Sequence, residues 1–99
     1  MAQFDVFRPK DSSELLLDCQ SDILDDLDTR FVVPLLGRAS VSKWVPTLNP
    51  QFEIDGREYV MATQGAATIP ARMIGERVAS LSDRHDTIIA ALDMLITRY

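Results

Sequence analysis

LSDRHDTIIAALDMLITRY, residues 81–99, holds neither Gly nor Pro and repeats its apolar residues at helical spacing. Ile88, Ile89, Leu92, Leu95, Ile96 and Tyr99 fall on one stripe, with Asp86, Ala90, Asp93 and Thr97 opposite. Ser82 stands where an N-cap hydroxyl would accept from an otherwise unpartnered backbone N–H. Asp83 and Asp86 add negative charge near the first turn, where the helix dipole favours it. The spacing predicts a helix from Ser82 almost to Tyr99, lying on a surface. Such a helix either closes a small core or also holds the chain end as a binding surface.

Upstream, the pattern changes from helical to alternating. Gln3 to Arg8 places Phe4 and Val6 on one face and Asp5 on the other, and Pro9 ends the run. Leu15, Leu17 and Cys19 share a face opposite Leu16 and Asp18, which predicts a hairpin partner for the first strand. Ile23 and Leu24 precede a very acidic loop containing Asp25, Asp26 and Asp28. Arg30 to Leu35 reads as a third strand, and Pro34 within it suggests an edge position or a bulge. Leu36 to Asn49 is irregular, with Trp44 as a local packing anchor. Phe52 and Ile54 lead into Asp55-Gly56, the signature of a type I′ hairpin, whose return strand carries Tyr59 and Met61. Gln64 to Ala67 is a loop, Ile69 to Ile74 is extended, and Gly75-Glu76 is expected to turn the chain into the helix.

Five or so short strands joined by short turns favour antiparallel pairing. With one helix last, the expected fold is mainly β, a small curled sheet or half-open barrel with the helix on one side. The 99 residues predict a single domain, 1–99. Ten basic and 15 acidic side chains give a net charge of −5, which argues against a direct, non-specific grip on nucleic acid and leaves basic protein partners open. One cysteine, Cys19, allows no internal disulfide and reads as a buried thiol in a reducing cytoplasm. The start MAQFDVFRPK is unlike a secretory signal, and no apolar run approaches membrane-spanning length.

The chemistry-bearing residues are sparse. His85, the sole histidine, falls in the first helical turn and reads as surface. Asp22, Asp25, Asp26 and Asp28 lack the Gly and terminal Glu of a calcium loop and read as solvated. There is no Gly-rich phosphate loop, CxxC or HExxH. No cofactor or metal site is expected, and the residues point to a binding or structural domain rather than an enzyme.

Several blocks, taken in order, resemble the CcdB family of toxins. Leu17-Asp18-Cys19-Gln20-Ser21-Asp22-Ile23-Leu24-Asp25 is similar to the family's V-D-V-Q-S-D-I-I-D, and Arg30-Phe31-Val32-Val33-Pro34-Leu35 to R-x-V-I-P-L. The Pro50–Ile54 strand, Met61-x-Thr63, Ile69-Pro70, Ile74-Gly75-Glu76-x-x-Ala79-x-Leu81-Ser82 and the last helix follow at matching spacing. The resemblance implies a small antiparallel SH3-like barrel related to the Kid and MazF toxins, with a C-terminal helix and a homodimeric state. It also implies non-catalytic poisoning: the dimer binds the A subunit of DNA gyrase, traps cleaved DNA, and is removed by a CcdA-like antitoxin.

On this resemblance the gyrase-contacting positions fall on Ile23, Leu24, Asp93, Ile96, Thr97, Arg98 and Tyr99, and a dimer contact on Met94 and Leu95. The final residues depart from the pattern. Gyrase-poisoning members end in Trp-Gly-Ile or a close relative, whereas this chain has Thr97-Arg98-Tyr99. Arg in place of Gly adds bulk and charge where close backbone approach is expected, although Tyr and Arg are themselves good interface anchors. An endoribonuclease of the Kid and MazF kind is the enzymatic alternative, with Arg30 as candidate acid or phosphate clamp. A homologue that binds its antitoxin and poisons nothing is the other.

Overall fold

Alternating apolar residues in the first third of the chain build an antiparallel meander, and the rest of the sheet grows from its third strand. The computed structural model describes residues 2–97. Its elements are β1 (Asp5–Pro9), β2 (Leu15–Asp18), β3 (Thr29–Gly37), β4 (Gln51–Ile54), β5 (Arg57–Met61), β6 (Ala67–Pro70), β7 (Ile74–Ser80) and α1 (His85–Thr97). The seven strands form one sheet in the order β4-β5-β3-β2-β1-β7, with β6 attached to β3. Every pairing is antiparallel, in a curled half-barrel. This is the mainly β architecture with one final helix that the sequence predicts, with two more strands than the alternation revealed.

β3 is central, not an edge. Val32 to Leu35 pair with β2, while the other side is shared: Thr29 to Val32 face β6 and Leu35 to Gly37 face β5. Pro34 sits at that changeover, where its carbonyl accepts from the Ala62 amide at 2.9 Å. The donor that a proline lacks is therefore missing at a gap in the ladder, where its loss costs least. The β4–β5 turn is as predicted. Asp55 and Gly56 have φ of 52° and 80°, and a type I′ turn needs both positive.

Gly75 and Glu76 do not turn the chain; they lie within β7. A Cβ on Gly75 would stand 2.3 Å from the Arg8 carbonyl oxygen, so the glycine permits close approach of β1. Register slips between β1 and β7 on either side of Phe7 accompany that approach and bend the sheet. The predicted extended run from Ile69 is also broken, by a 3-10 turn at Ala71–Met73 that separates β6 from β7.

Both faces of the meander are covered. One packs Phe4, Val6, Leu17, Val33, Phe52 and Met61 with Ile88 and Ala91 of α1. The other buries Phe7, Leu16 and Val32 beneath Ile69 and Ile74.

The helix starts later than predicted. Ser82–Arg84 form a 3-10 turn, and the Ser82 side chain does not cap; its amide instead donates to Ser80 Oγ at 3.3 Å. The Leu81 amide donates to the Phe4 carbonyl, and the Phe4 ring meets the edge of exposed His85 at 5.3 Å. The apolar stripe also divides. Ile88 and Ala91 are buried and Leu92 packs on the core, while Ile89, Leu95 and Ile96 remain exposed. Leu95 lies two turns beyond Ile88 on nearly the same side, so the helix outruns the sheet that covers its first half. Among the described residues no helix is long and apolar enough to cross a membrane.

Candidate functional site

Two exposed apolar tips coincide with the positions singled out in the sequence, and they rest on different supports. The first is a 3-10 turn at Asp22–Leu24 between β2 and β3. Ile23 is 91% exposed at its apex, with Leu24 and Leu27 also exposed beside it. Ser21 caps the turn, its hydroxyl accepting from the Ile23 amide, and Asp22 accepts from the Gln3 amide at 2.8 Å. Burying such an isoleucine in a partner would be worth roughly 1.5–3 kcal/mol.

Beneath the tip lies a buried polar cluster. Arg30 is 3% exposed, Asp18 is fully buried, and the two form an ion pair. A second Arg30 nitrogen reaches Asp25 Oδ1 at 2.7 Å, on the far side of the turn. Gln20, also buried, links the rest. Its amide nitrogen Nε2 donates to the Leu24 carbonyl at 2.8 Å, its Oε1 accepts from the Phe31 amide, and its backbone N–H donates to Asp18 Oδ1. Burial pushes the Asp18 carboxyl up despite the opposing pull of Arg30. Burial likewise works against the charge on Arg30, but the bonds to Asp18 and Asp25 outweigh it and hold the guanidinium protonated. Next to this pair, burial and the Asp18 charge push the Cys19 thiol up to about 12. That sulfur is an inert, neutral packing group, as the sequence suggested.

The second tip is the end of α1. Ile96 is 72% exposed and Leu95 is exposed, whereas Asp93 and Met94 are half-buried. Thr97 Oγ1 donates to the Asp93 carbonyl at 2.8 Å and lies 2.6 Å from Asp93 Oδ1. This closes the last turn upon itself. Arg98 and Tyr99 lie outside the described residues. Contacts at the first tip run to Gln3 and into the polar cluster, while the Thr97 hydroxyl at the second bonds back to Asp93 of its own helix.

Arg30, the candidate acid or phosphate clamp, is enclosed, and its guanidinium is engaged by the carboxylates of Asp18 and Asp25. The acidic loop is also more than solvated charge, since Asp22 and Asp25 tie the tip to its surroundings. Gln20 was not recognised as structural from the sequence. Its only signal there was its place inside the block 17–25. Elsewhere, an open groove of about 600 Å³ is lined by Ser42, Trp44 and Gln64 among others. Arg38 stacks over Trp44 at 4.8 Å, and buried Asn49 pins the loop through the Met61 carbonyl and Gln64.

A family model described as CcdB protein matches residues 3–97, nearly the entire chain.

Proposed function

The chain belongs to the CcdB family of type II toxin–antitoxin toxins, and we propose that it acts as a gyrase poison. In this reading a homodimer presents Ile23, Leu24, Asp93, Ile96, Thr97, Arg98 and Tyr99 to the A subunit of DNA gyrase and traps the cleaved-DNA complex. Met94 and Leu95 meet their counterparts across a two-fold axis, which would cover the apolar surface of α1 that the sheet leaves open. A CcdA-like antitoxin removes the toxin, and the setting is cytoplasmic. The observation that carries the reading is the exposure of Ile23 and Ile96 on stiff supports in a chain of this family. Large apolar side chains held in water are costly unless a partner covers them. No step requires a cofactor, a metal, nucleic acid contact, a membrane or acid–base chemistry.

Expression of the chain alone in bacteria tests it. Growth arrest that is relieved by a gyrase allele altered in the A subunit is the expected result, and arrest indifferent to that allele would overturn the reading. Thr97-Arg98-Tyr99 in place of Trp-Gly-Ile favours one second reading, a toxin-fold protein that still binds its antitoxin but poisons nothing. Harmless overexpression together with intact antitoxin binding would establish it.

A further inference from the structure

We propose that Gln20, Asp25 and Arg30 are positioning residues, which hold the turn at Asp22–Leu24 in one conformation so that Ile23 and Leu24 meet a partner already ordered. The inference rests on the proposed function for the identity of that partner, the gyrase A subunit, but not for the bracing itself.

A 3-10 turn of three residues has few hydrogen bonds of its own. Here the internal ones are Leu24 N–H to the Ser21 carbonyl at 2.9 Å and Asp25 N–H to the Asp22 carbonyl at 3.2 Å. A turn so short, with its apolar side chains in water, belongs to the low-stability end of a fold unless something else fixes it. The buried cluster supplies that. Gln20 grips the last carbonyl of the turn while its other side-chain atom is fixed by β3. Arg30 grips Asp25, just past the turn, while anchored to Asp18 in β2. Gln20, two residues past β2, and Arg30 of β3 thus both hold the C-terminal end of the turn. A buried ion pair is poor evidence for stability as such, because desolvation offsets most of the attraction. Its placement under an exposed apolar tip gives the pair a different use. A tip ordered before contact loses less entropy on binding.

The test uses the full chain and four variants, Gln20→Ala, Gln20→Asn, Asp25→Ala and Asp25→Glu. Asp25 is half-exposed, so its variants are expected to fold with melting temperatures near that of the parent. Amide exchange is followed at Leu24 and Leu27, with Val60 of the β4–β5 hairpin as an internal control. Affinity is measured for a purified gyrase A fragment. Exchange at Leu24 and Leu27 should rise at least tenfold in Asp25→Ala and Gln20→Ala, with Val60 unchanged. Affinity should fall by tenfold or more, and Asp25→Glu should restore most of both. Unchanged exchange at Leu24 in both alanine variants would overturn the inference, as would faster exchange with undiminished affinity. If the parent binds no gyrase fragment while the alanine variants still loosen the turn, the proposed function fails and the bracing stands.

Discussion

The turn at Asp22–Leu24 and the end of α1 present similar apolar side chains to solvent, yet one stands on buried charge and the other on its own helix. Beneath Ile23 lie Arg30, Asp18 and Gln20, each in the interior and each bonded across strands. Beneath Ile96 there is the backbone ladder of a helix whose packed residues, Ile88, Ala91 and Leu92, end about a turn earlier. The difference follows from length. A helix of 13 residues makes its own hydrogen bonds and needs only one seated stretch to be stiff. A three-residue turn cannot, so its rigidity has to come from neighbours.

The largest effect should come from removing the cation. Arg30→Met leaves Asp18 buried without its partner, and the loss of stability should be about 3–5 kcal/mol in urea denaturation. Replacing both members, Asp18→Leu with Arg30→Met, should recover most of that loss, because a packed apolar pair of similar volume avoids the desolvation cost. If the double variant is as unstable as the single one, the cluster is a stability device and the contrast between the two tips fails. If it is stable, with fast exchange at Leu24, the contrast is sharpened.

The helix support should fail by a different route. Ile88 is wholly buried against the sheet core, so Ile88→Ala should cost about 2–4 kcal/mol through the cavity it leaves. Amides throughout α1 should then exchange faster, while Leu24 changes only as global stability falls. Local loosening at Leu24 in this variant would mean that the supports are not separate.

These residues also mark what was legible in the sequence. The Asp55-Gly56 hairpin and the final helix were plain, because turn chemistry and periodicity are local signals. Pro34 suggests an edge position or a bulge, and the changeover it occupies stays hidden because nothing local records that a strand changes partners midway. Gly75 was misread as a turn because its need is the approach of Arg8, remote in sequence. The positions of Ile23, Leu24 and Ile96 came from the family resemblance, and their exposure from the structure. The cluster beneath Ile23 and Leu24 was hidden for a physical reason: Asp18, Gln20 and Arg30 look solvent-facing until strand pairing brings them together.

Cys19 sits between two members of that cluster and gives the contrast a pH signature. Its thiol is pushed to about 12 in the folded chain, against 9.0 for the free group. Above pH 9 the unfolded chain therefore binds fewer protons at this site, and stability falls by about 1.4 kcal/mol per pH unit until the folded value is reached. At pH 10.5 the loss should be about 2 kcal/mol. Urea denaturation at pH 8 and 10.5 checks it against Cys19→Ala, in which this part of the pH dependence should vanish. A parent and variant with parallel profiles would show that the cluster region opens to solvent before the fold does.

The smallest effect should lie at the helix end. Thr97 is exposed and its hydroxyl bonds back to Asp93, so Thr97→Val removes a hydrogen bond that water readily replaces. The change in global stability should be under about 0.5 kcal/mol. The last turn should still fray more readily, seen as faster amide exchange at Ile96 and Thr97 with Ile88 unaffected. In a support made by the helix itself, each bond near the tip matters locally and little elsewhere. In the braced turn, by contrast, the bonds that matter lie underneath, and their loss is felt at every residue of the tip. A Thr97→Val variant that lost several kcal/mol would place the helix end inside a cooperative network like that of Arg30, and the two tips would then be of one kind.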